Sequence, residues 1–286
     1  MNLIVANYFY MLYNIRNLTT QVGVIIMRFK ILGSGGVQQI PRPCCTCKIC
    51  TEAKAKGFPY KRLTQSLFLH DINAIFDTPE CICEELNIYA IPSVSNIFYT
   101  HFHPDHTLGC RVIEALRSEK NLDKINVFMP PEGIRISINT FDSFIDYYVK
   151  QGYCNIIKAT EVIINNIRIT PIRLDNQFAY SYLIEENGKR LFYCPCHAKY
   201  IPYNIKELEN VDIMLLGLGH FRFINNETTN FKLDIIPLIE KYKPKLSVFT
   251  HIEETDEKSF DDYKKLEKYY SKYNILFAYD GMDLIL

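Results

Sequence analysis

The fold is decided by the stretch Val94-Ser95-Asn96-Ile97-Phe98-Tyr99-Thr100-His101-Phe102-His103-Pro104-Asp105-His106-Thr107-Leu108-Gly109. Its first part, Val94 to Tyr99, is an apolar run short enough to be a buried strand, and a helix is expected from near Leu108 to Ser118. The polar cluster between them therefore sits at the carboxyl end of a strand, where loops of layered α/β proteins carry function. His101, His103, Asp105 and His106 place three imidazoles and one carboxylate within six positions. That donor set suits zinc, manganese or iron better than calcium or magnesium. An ordinary polar loop is the competing reading. It is weak, because only seven histidines occur in 286 residues and buried polar groups need partners that a plain turn does not supply.

Composition narrows the class. The chain carries 32 basic and 32 acidic residues and is 48% hydrophobic, enough to bury a sizeable core. No general polyanion-binding character follows from that balance, and neither a nucleic-acid arm nor a membrane span is legible. The ten cysteines, without a convincing export signal, are expected to be reduced thiols and metal ligands in a cytoplasmic protein. Residues 1–26 hold short apolar patches broken by Asn14, Arg16 and Asn17. They are expected to form a loosely packed or disordered extension before a domain spanning 27–286.

Working outward from the histidine loop, strands are expected at Arg28 to Leu32, Ser66 to His70, Ala74 to Phe76 and Ile125 to Met129, with a helix near Glu80 to Asn87 opened by Pro79. A helical stretch is expected around Phe141 to Val149. Between Glu161 and Cys194, β-branched runs separated by Asn165-Asn166, Asp175-Asn176 and Asn187-Gly188 predict an antiparallel meander. Strands at Ile213 to Leu216, Leu246 to Thr250 and Ile275 to Tyr279 then alternate with helices at Phe231 to Tyr242 and Glu257 to Tyr270. Two such halves imply two sheets packed face to face with helices outside. No internal repeat is visible, and the 20 tyrosines and 18 phenylalanines read as packing rather than a base-stacking platform.

A second cluster lies in Cys44-Cys45-Thr46-Cys47-Lys48-Ile49-Cys50. Three thiolates this close point to structural zinc, which closes a loop that has no core of its own. Free cysteines or a redox role are the weaker alternatives. His70, on a strand, reads as structural. His220 is equally readable as a satisfied loop histidine or a substrate contact.

The histidine motif resembles the signature of the metallo-β-lactamase superfamily. Gly33-Ser34-Gly35-Gly36 through Pro41, followed by the cysteine run, resembles the opening of one of its branches. That branch contains the cyclic-phosphate phosphodiesterase of the carbon–phosphorus lyase pathway and the pyrroloquinoline quinone biosynthesis protein B. The resemblance implies a four-layer αββα sandwich of two mixed sheets with outer helices, into which the zinc loop 44–50 is inserted. By the same resemblance His101 and His103, with Asp175 standing where the family has a histidine, serve one metal. Asp105, His106 and His251 serve the other, joined by Cys196, in place of a bridging aspartate, or by the His197 that follows it. Asp77 is expected to brace the histidine loop, and Asp105 and His197 to sit at the reacting centre. The phosphodiesterase completes its structural zinc with a histidine where this chain has Glu254, so Glu254 or Cys44 is expected to join Cys45, Cys47 and Cys50.

These residues imply a metal-dependent hydrolase with one or two catalytic zinc or manganese ions, or iron, besides the structural zinc. The expected reaction is attack of metal-activated water on a small cyclic or diester phosphate; the expected partner is that small molecule, with a homodimer left open. Two other readings stand beside it. One is a non-hydrolytic, iron-dependent enzyme of cofactor or peptide maturation; the other is a zinc-stapled binding module without catalysis.

Overall fold

Period-two alternation gives the central strands an inner and an outer face. Phe76, Phe98 and Phe128 lie in register on three adjacent parallel strands, with ring centroids 5.0 and 4.4 Å apart. Ile75, Ile97 and Val127 face the opposite way and join a different cluster. The computed structural model describes residues 27–117, 123–129, 145–158, 160–175 and 179–286. The expected extension 1–26 and the start of the 141–149 helical stretch lie outside them; residues 145–150 are helical.

The first sheet takes β1 (Arg28–Gly33), β2 (Ser66–Leu69), β3 (Ala74–Phe76), β4 (Asn96–Phe98), β5 (Ile125–Met129) and β6 (Cys154–Lys158). The second takes β7 (Val162–Ile164), β8 (Ile167–Arg173), β9 (Tyr180–Glu186), β10 (Lys189–Cys194), β11 (Ile213–Gly217), β12 (Leu246–Thr250) and β13 (Ile275–Phe277); β14 (Asp283–Ile285) returns to pair with β1. The orders are β14-β1-β2-β3-β4-β5-β6 and β13-β12-β11-β10-β9-β8-β7. Both sheets follow one grammar, an antiparallel half continued by a parallel half, although no repeat marks it in the sequence. The Asn187-Gly188 hairpin between β9 and β10 has positive φ at both residues, the conformation that such turns require.

One apolar cluster joins the inner faces, with Phe29, Leu67 and Phe98 from the first sheet meeting Ile169, Tyr182, Tyr193 and Val248 from the second. Helices Ile82–Ile88 and Val112–Arg117 cover the outer face of the first sheet, and Ile236–Tyr242 and Phe260–Tyr269 that of the second. The architecture is therefore the αββα sandwich. No described helix is long and apolar enough to cross a membrane.

Local chemistry explains where elements differ from expectation. The helix expected from Phe231 opens with a π turn over Phe231–Ile235, because Pro237 has no N–H to give Leu233 and the regular ladder cannot form there. The helix expected from Glu257 starts at Phe260, where Ser259 and Asp262 form a reciprocal cap. The helix expected from Leu108 begins as a 3-10 turn, since the Gly109 N–H is taken by Thr78 O at 2.9 Å. Strands β6 and β14 were not anticipated. β6 sits at a sheet edge and is half-exposed; β14 has three residues.

Phe98 stands at the centre of the aromatic ladder and is fully buried. Phe98→Ala should cost about 3–5 kcal/mol in urea unfolding, whereas Ile163→Ala, on the exposed β7, should change stability by less than about 0.5 kcal/mol.

Candidate metal centre

Asp77 follows β3 in a left-handed conformation, φ 65°, and its fully buried carboxylate accepts three hydrogen bonds. Thr100 N donates to Oδ1 at 2.8 Å, Thr100 Oγ1 to Oδ2 at 2.7 Å, and His106 Nδ1 to Oδ2 at 2.8 Å. Because the Thr100 hydroxyl proton is spent on Asp77, His101 Nδ1, 3.0 Å from Thr100 Oγ1, must be the donor in that pair. The network thereby assigns both tautomers and leaves the Nε2 lone pairs of His101 and His106 pointing away from Asp77. Both Nε2 atoms are buried without a hydrogen-bond partner. Two orphaned lone pairs of this kind are what a cation satisfies.

The histidine loop is shaped by its own sequence. Pro104 starts the short turn Pro104–Thr107, and Gly109 lets the loop lie on the segment after β3, since a Cβ there would sit 1.9 Å from Pro79 O. His251 follows β12 and is clamped between Ile252 N–Ser34 O at 3.0 Å and Gly36 N–Ile252 O at 3.0 Å, so the amino-terminal glycine turn fixes the late histidine. A side chain at Gly36 would strike Glu253. Gln65 accepts from Thr250 Oγ1 and donates to Tyr193 at 3.2 Å, tying the two sheets together beneath the site. Asp77, His197 and His251 all hold positive φ, a cost of about 1–2 kcal/mol each that native structures tolerate mainly where function needs it.

Five imidazoles converge. The ring centroid of His101 lies 4.6 Å from that of His103, 4.1 Å from His106 and 5.2 Å from His197, and His106 lies 5.7 Å from His251. Two sets of donor atoms, each mutually within 4.8 Å, share this space: His101 with His103 and His197, and Asp105 with His106 and His251. Cys196 forms a third set with His101 and His106. Asp105 Oδ2 lies 3.2 Å from His106 Nε2 and 3.3 Å from His251 Nε2.

Electrostatics report the same crowding. Burial, followed by His106, lowers His101 to about 4. Burial is the largest influence on His106 and His251 and opposes their charge, yet Asp77 and Asp105 together outweigh it for the first and Cys196 and Asp105 together for the second, so that His106 rises well above its usual value and His251 to about 10. Burial would raise Asp105 and Cys196, but the surrounding imidazoles hold both far below their usual ranges. Protons here do the work that a divalent cation does better, screening a carboxylate and a thiolate packed among nitrogen lone pairs.

Two expected ligands are placed elsewhere. Asp175 is exposed, its N–H is bound to Tyr200 O at 2.7 Å, and it belongs to none of the donor sets among the described residues. His197 occupies the third corner with His101 and His103 instead, because its left-handed backbone after Cys196 turns two consecutive side chains inward. Glu254 is buried but pairs with Arg42 Nε rather than joining Cys45, Cys47 and Cys50, whose sulfurs lie within 4.8 Å of one another. The guanidinium also touches Cys45 Sγ at 3.8 Å and so occupies the gap between carboxylate and sulfurs. Cys44 is exposed. Hydrogen bonds, the backbone N–H of Cys47 foremost, lower Cys45 to about 7, and burial raises Cys50 to about 11. His70 packs edge-on against Phe68 in a 3-10 turn.

Val37, Cys196, His197, His220, His251 and Glu253 line a cleft of about 580 Å³, mouth included. His220 is backed by buried Asp256, with Nδ1 3.8 Å from Oδ1, and the nearby carboxylate raises its pKa. Thr100, Gln65 and Asp256 escaped sequence reasoning. Thr100 alone left a signal, as the residue between the strand and the first histidine.

Residues 72–252 match the family model of the beta-lactamase superfamily domain. Among solved structures, a diphosphatase from the PhnP family is 20% identical with a TM-score of 0.72, covering 92% of this chain and 98% of that one. Zn(2+)-bound PqqB from Methylobacterium extorquens is 18% identical with a TM-score of 0.68, covering 90% and 99%. Human tRNase Z, short form, is 12% identical with a TM-score of 0.55, covering 90% and 98%. No curated protein matches the chain. At these identities the likeness is one of fold.

Asp77→Asn removes the anionic acceptor while keeping shape. It should weaken divalent-cation binding by about 10- to 100-fold in calorimetric titration, with the far-ultraviolet circular dichroism unchanged.

Proposed function

The chain belongs to the beta-lactamase superfamily, and we propose that within it the protein is a metal-dependent hydrolase acting on a small cyclic or diester phosphate. The observation that carries this reading is the convergence of two three-donor sets, His101/His103/His197 and Asp105/His106/His251, beside a cleft that one member of each, His197 and His251, lines. Each set would hold one divalent cation and leave coordination positions open toward the cleft. Cations held there supply electrostatic stabilisation of developing negative charge and activation of water at neutral pH. A third cation, zinc, would close the Cys45/Cys47/Cys50 loop, where three sulfurs meet beside a small apolar patch of Ile40, Ile49 and Ala53.

The chain's own residues do the remainder. Asp77 and Thr100 fix the two imidazoles that face the cations, so reorganisation during turnover is small. His220, whose pKa the Asp256 carboxylate raises, lines the cleft and is the group placed to give a proton to a departing alkoxide. Glu227 and Glu253 add acidic groups to the lining, which disfavours a long polyanion and favours a substrate bound through one phosphate. The names of similar folds, a diphosphatase and a tRNase Z, belong to phosphate chemistry and support the reaction class at the level of analogy.

Hydrolysis of bis-para-nitrophenyl phosphate tests the reading. Activity should vanish on chelation, return with zinc or manganese, and fall to the uncatalysed level in His103→Ala; turnover by a metal-free His103→Ala protein overturns it. His220→Ala should cost about 10²- to 10⁴-fold with an alkyl leaving group and far less with para-nitrophenolate, which needs no proton.

A further inference from the structure

Cys196 occupies the seam between the two donor sets. Its sulfur lies within 4.8 Å of the donor nitrogens of both His101 and His106; His101 also belongs to the set with His103 and His197, and His106 to the set with Asp105 and His251. The thiol arrives there by construction. The turn after β10 presses onto the end of β11, where a Cβ on Gly217 would stand 2.3 Å from Pro195 O, and Cys194 Sγ donates to Cys196 O at 3.2 Å. A cysteine that merely fills space is surrounded by apolar atoms, as Cys154 is within the outer core of the first sheet. Cys196 instead has imidazoles around it and opens onto the cleft.

Building on the two cation positions proposed above, and on Cys196 standing where the resemblance puts a bridging carboxylate, we propose that its sulfur makes the cleft select thiophilic divalent cations. The selected class is zinc, cobalt and ferrous iron, with manganese and magnesium discriminated against. A carboxylate at this place would carry the same charge with hard oxygen donors and accept manganese readily; one sulfur exchanges that for a soft donor. The remaining donors, five imidazoles and one carboxylate, already disfavour magnesium, and the sulfur adds a further preference over manganese that resides in one side chain.

The test compares full-length wild type, Cys196→Asp, Cys196→Ser and Cys154→Ser, each checked for folding by circular dichroism and thermal melting. After dialysis against equimolar zinc and manganese, metal content is measured by plasma mass spectrometry, with the zinc of the cysteine loop as a constant background. Wild type and Cys154→Ser should hold zinc in the cleft, and Cys196→Asp should shift the zinc-to-manganese ratio toward manganese by at least about tenfold, a difference of about 1.4 kcal/mol. Cobalt-loaded wild type should show more sulfur-to-cobalt charge-transfer absorption than Cys196→Ser at equal occupancy, a readout that survives if the aspartate variant does not fold. Cations bound in the cleft with an unchanged ratio and identical cobalt spectra would overturn the selectivity proposal while leaving the hydrolase reading intact. No cation at the histidines in any of the proteins would overturn both.

Discussion

The buried carboxylate of Asp77 is the constraint on which the site depends. It receives the backbone and hydroxyl of Thr100 and the ring of His106, and through Thr100 it also sets His101. One group thus fixes the end of β4, two tautomers and the direction in which two lone pairs point. Such a group needs a rigid platform, and the parallel strands β3 and β4, stacked through Phe76 and Phe98, supply it. The aromatic ladder and the polar network are two sides of one arrangement: apolar stacking below, hydrogen bonding at the strand ends above.

The second sheet contributes by docking. Gln65 reaches Thr250 and Tyr193, while the glycine turn at 33–36 grips the backbone beside His251, so residues far apart in sequence meet with little freedom left. Once both sheets are in contact, Asp105 is pressed between two imidazoles and Cys196 among several. Packing donors this densely costs stability in the protein alone, because only protons on buried imidazoles screen the carboxylate and the thiolate. A cation repays that cost, which couples metal affinity to the stability of the whole strand-end region.

Much of this was legible in the residues. The pattern His101-x-His103-x-Asp105-His106 after an apolar run gave both the donors and their place at a strand end, and the Cys45-x-Cys47-x-x-Cys50 spacing gave the second cluster. Three things were not legible, each for a physical reason. Asp175 resembled a ligand because it sits in the expected order along the chain, but the turn after β8 directs its backbone to Tyr200 and its side chain to solvent. His197 took the inward place through a left-handed backbone, which is invisible in a one-dimensional string. Glu254 resembled a fourth zinc ligand by counting from His251, and Arg42, from the loop before the cysteines, claims it instead. Strand placement along the chain suffered less, since alternation and turn residues mark local elements well; only the edge strand β6 and the three-residue β14 carried too little apolar signal to be anticipated.

The central claim is that the imidazoles of His101, His103, His106, His197 and His251 assemble around cations rather than merely packing together. Crystals grown with zinc and measured on both sides of its absorption edge test it most directly. The account predicts two anomalous peaks in the cleft, one against His101, His103 and His197 and one against Asp105, His106 and His251, and a third at the cysteine loop. A map with density at the cysteine loop and none among the histidines would contradict it.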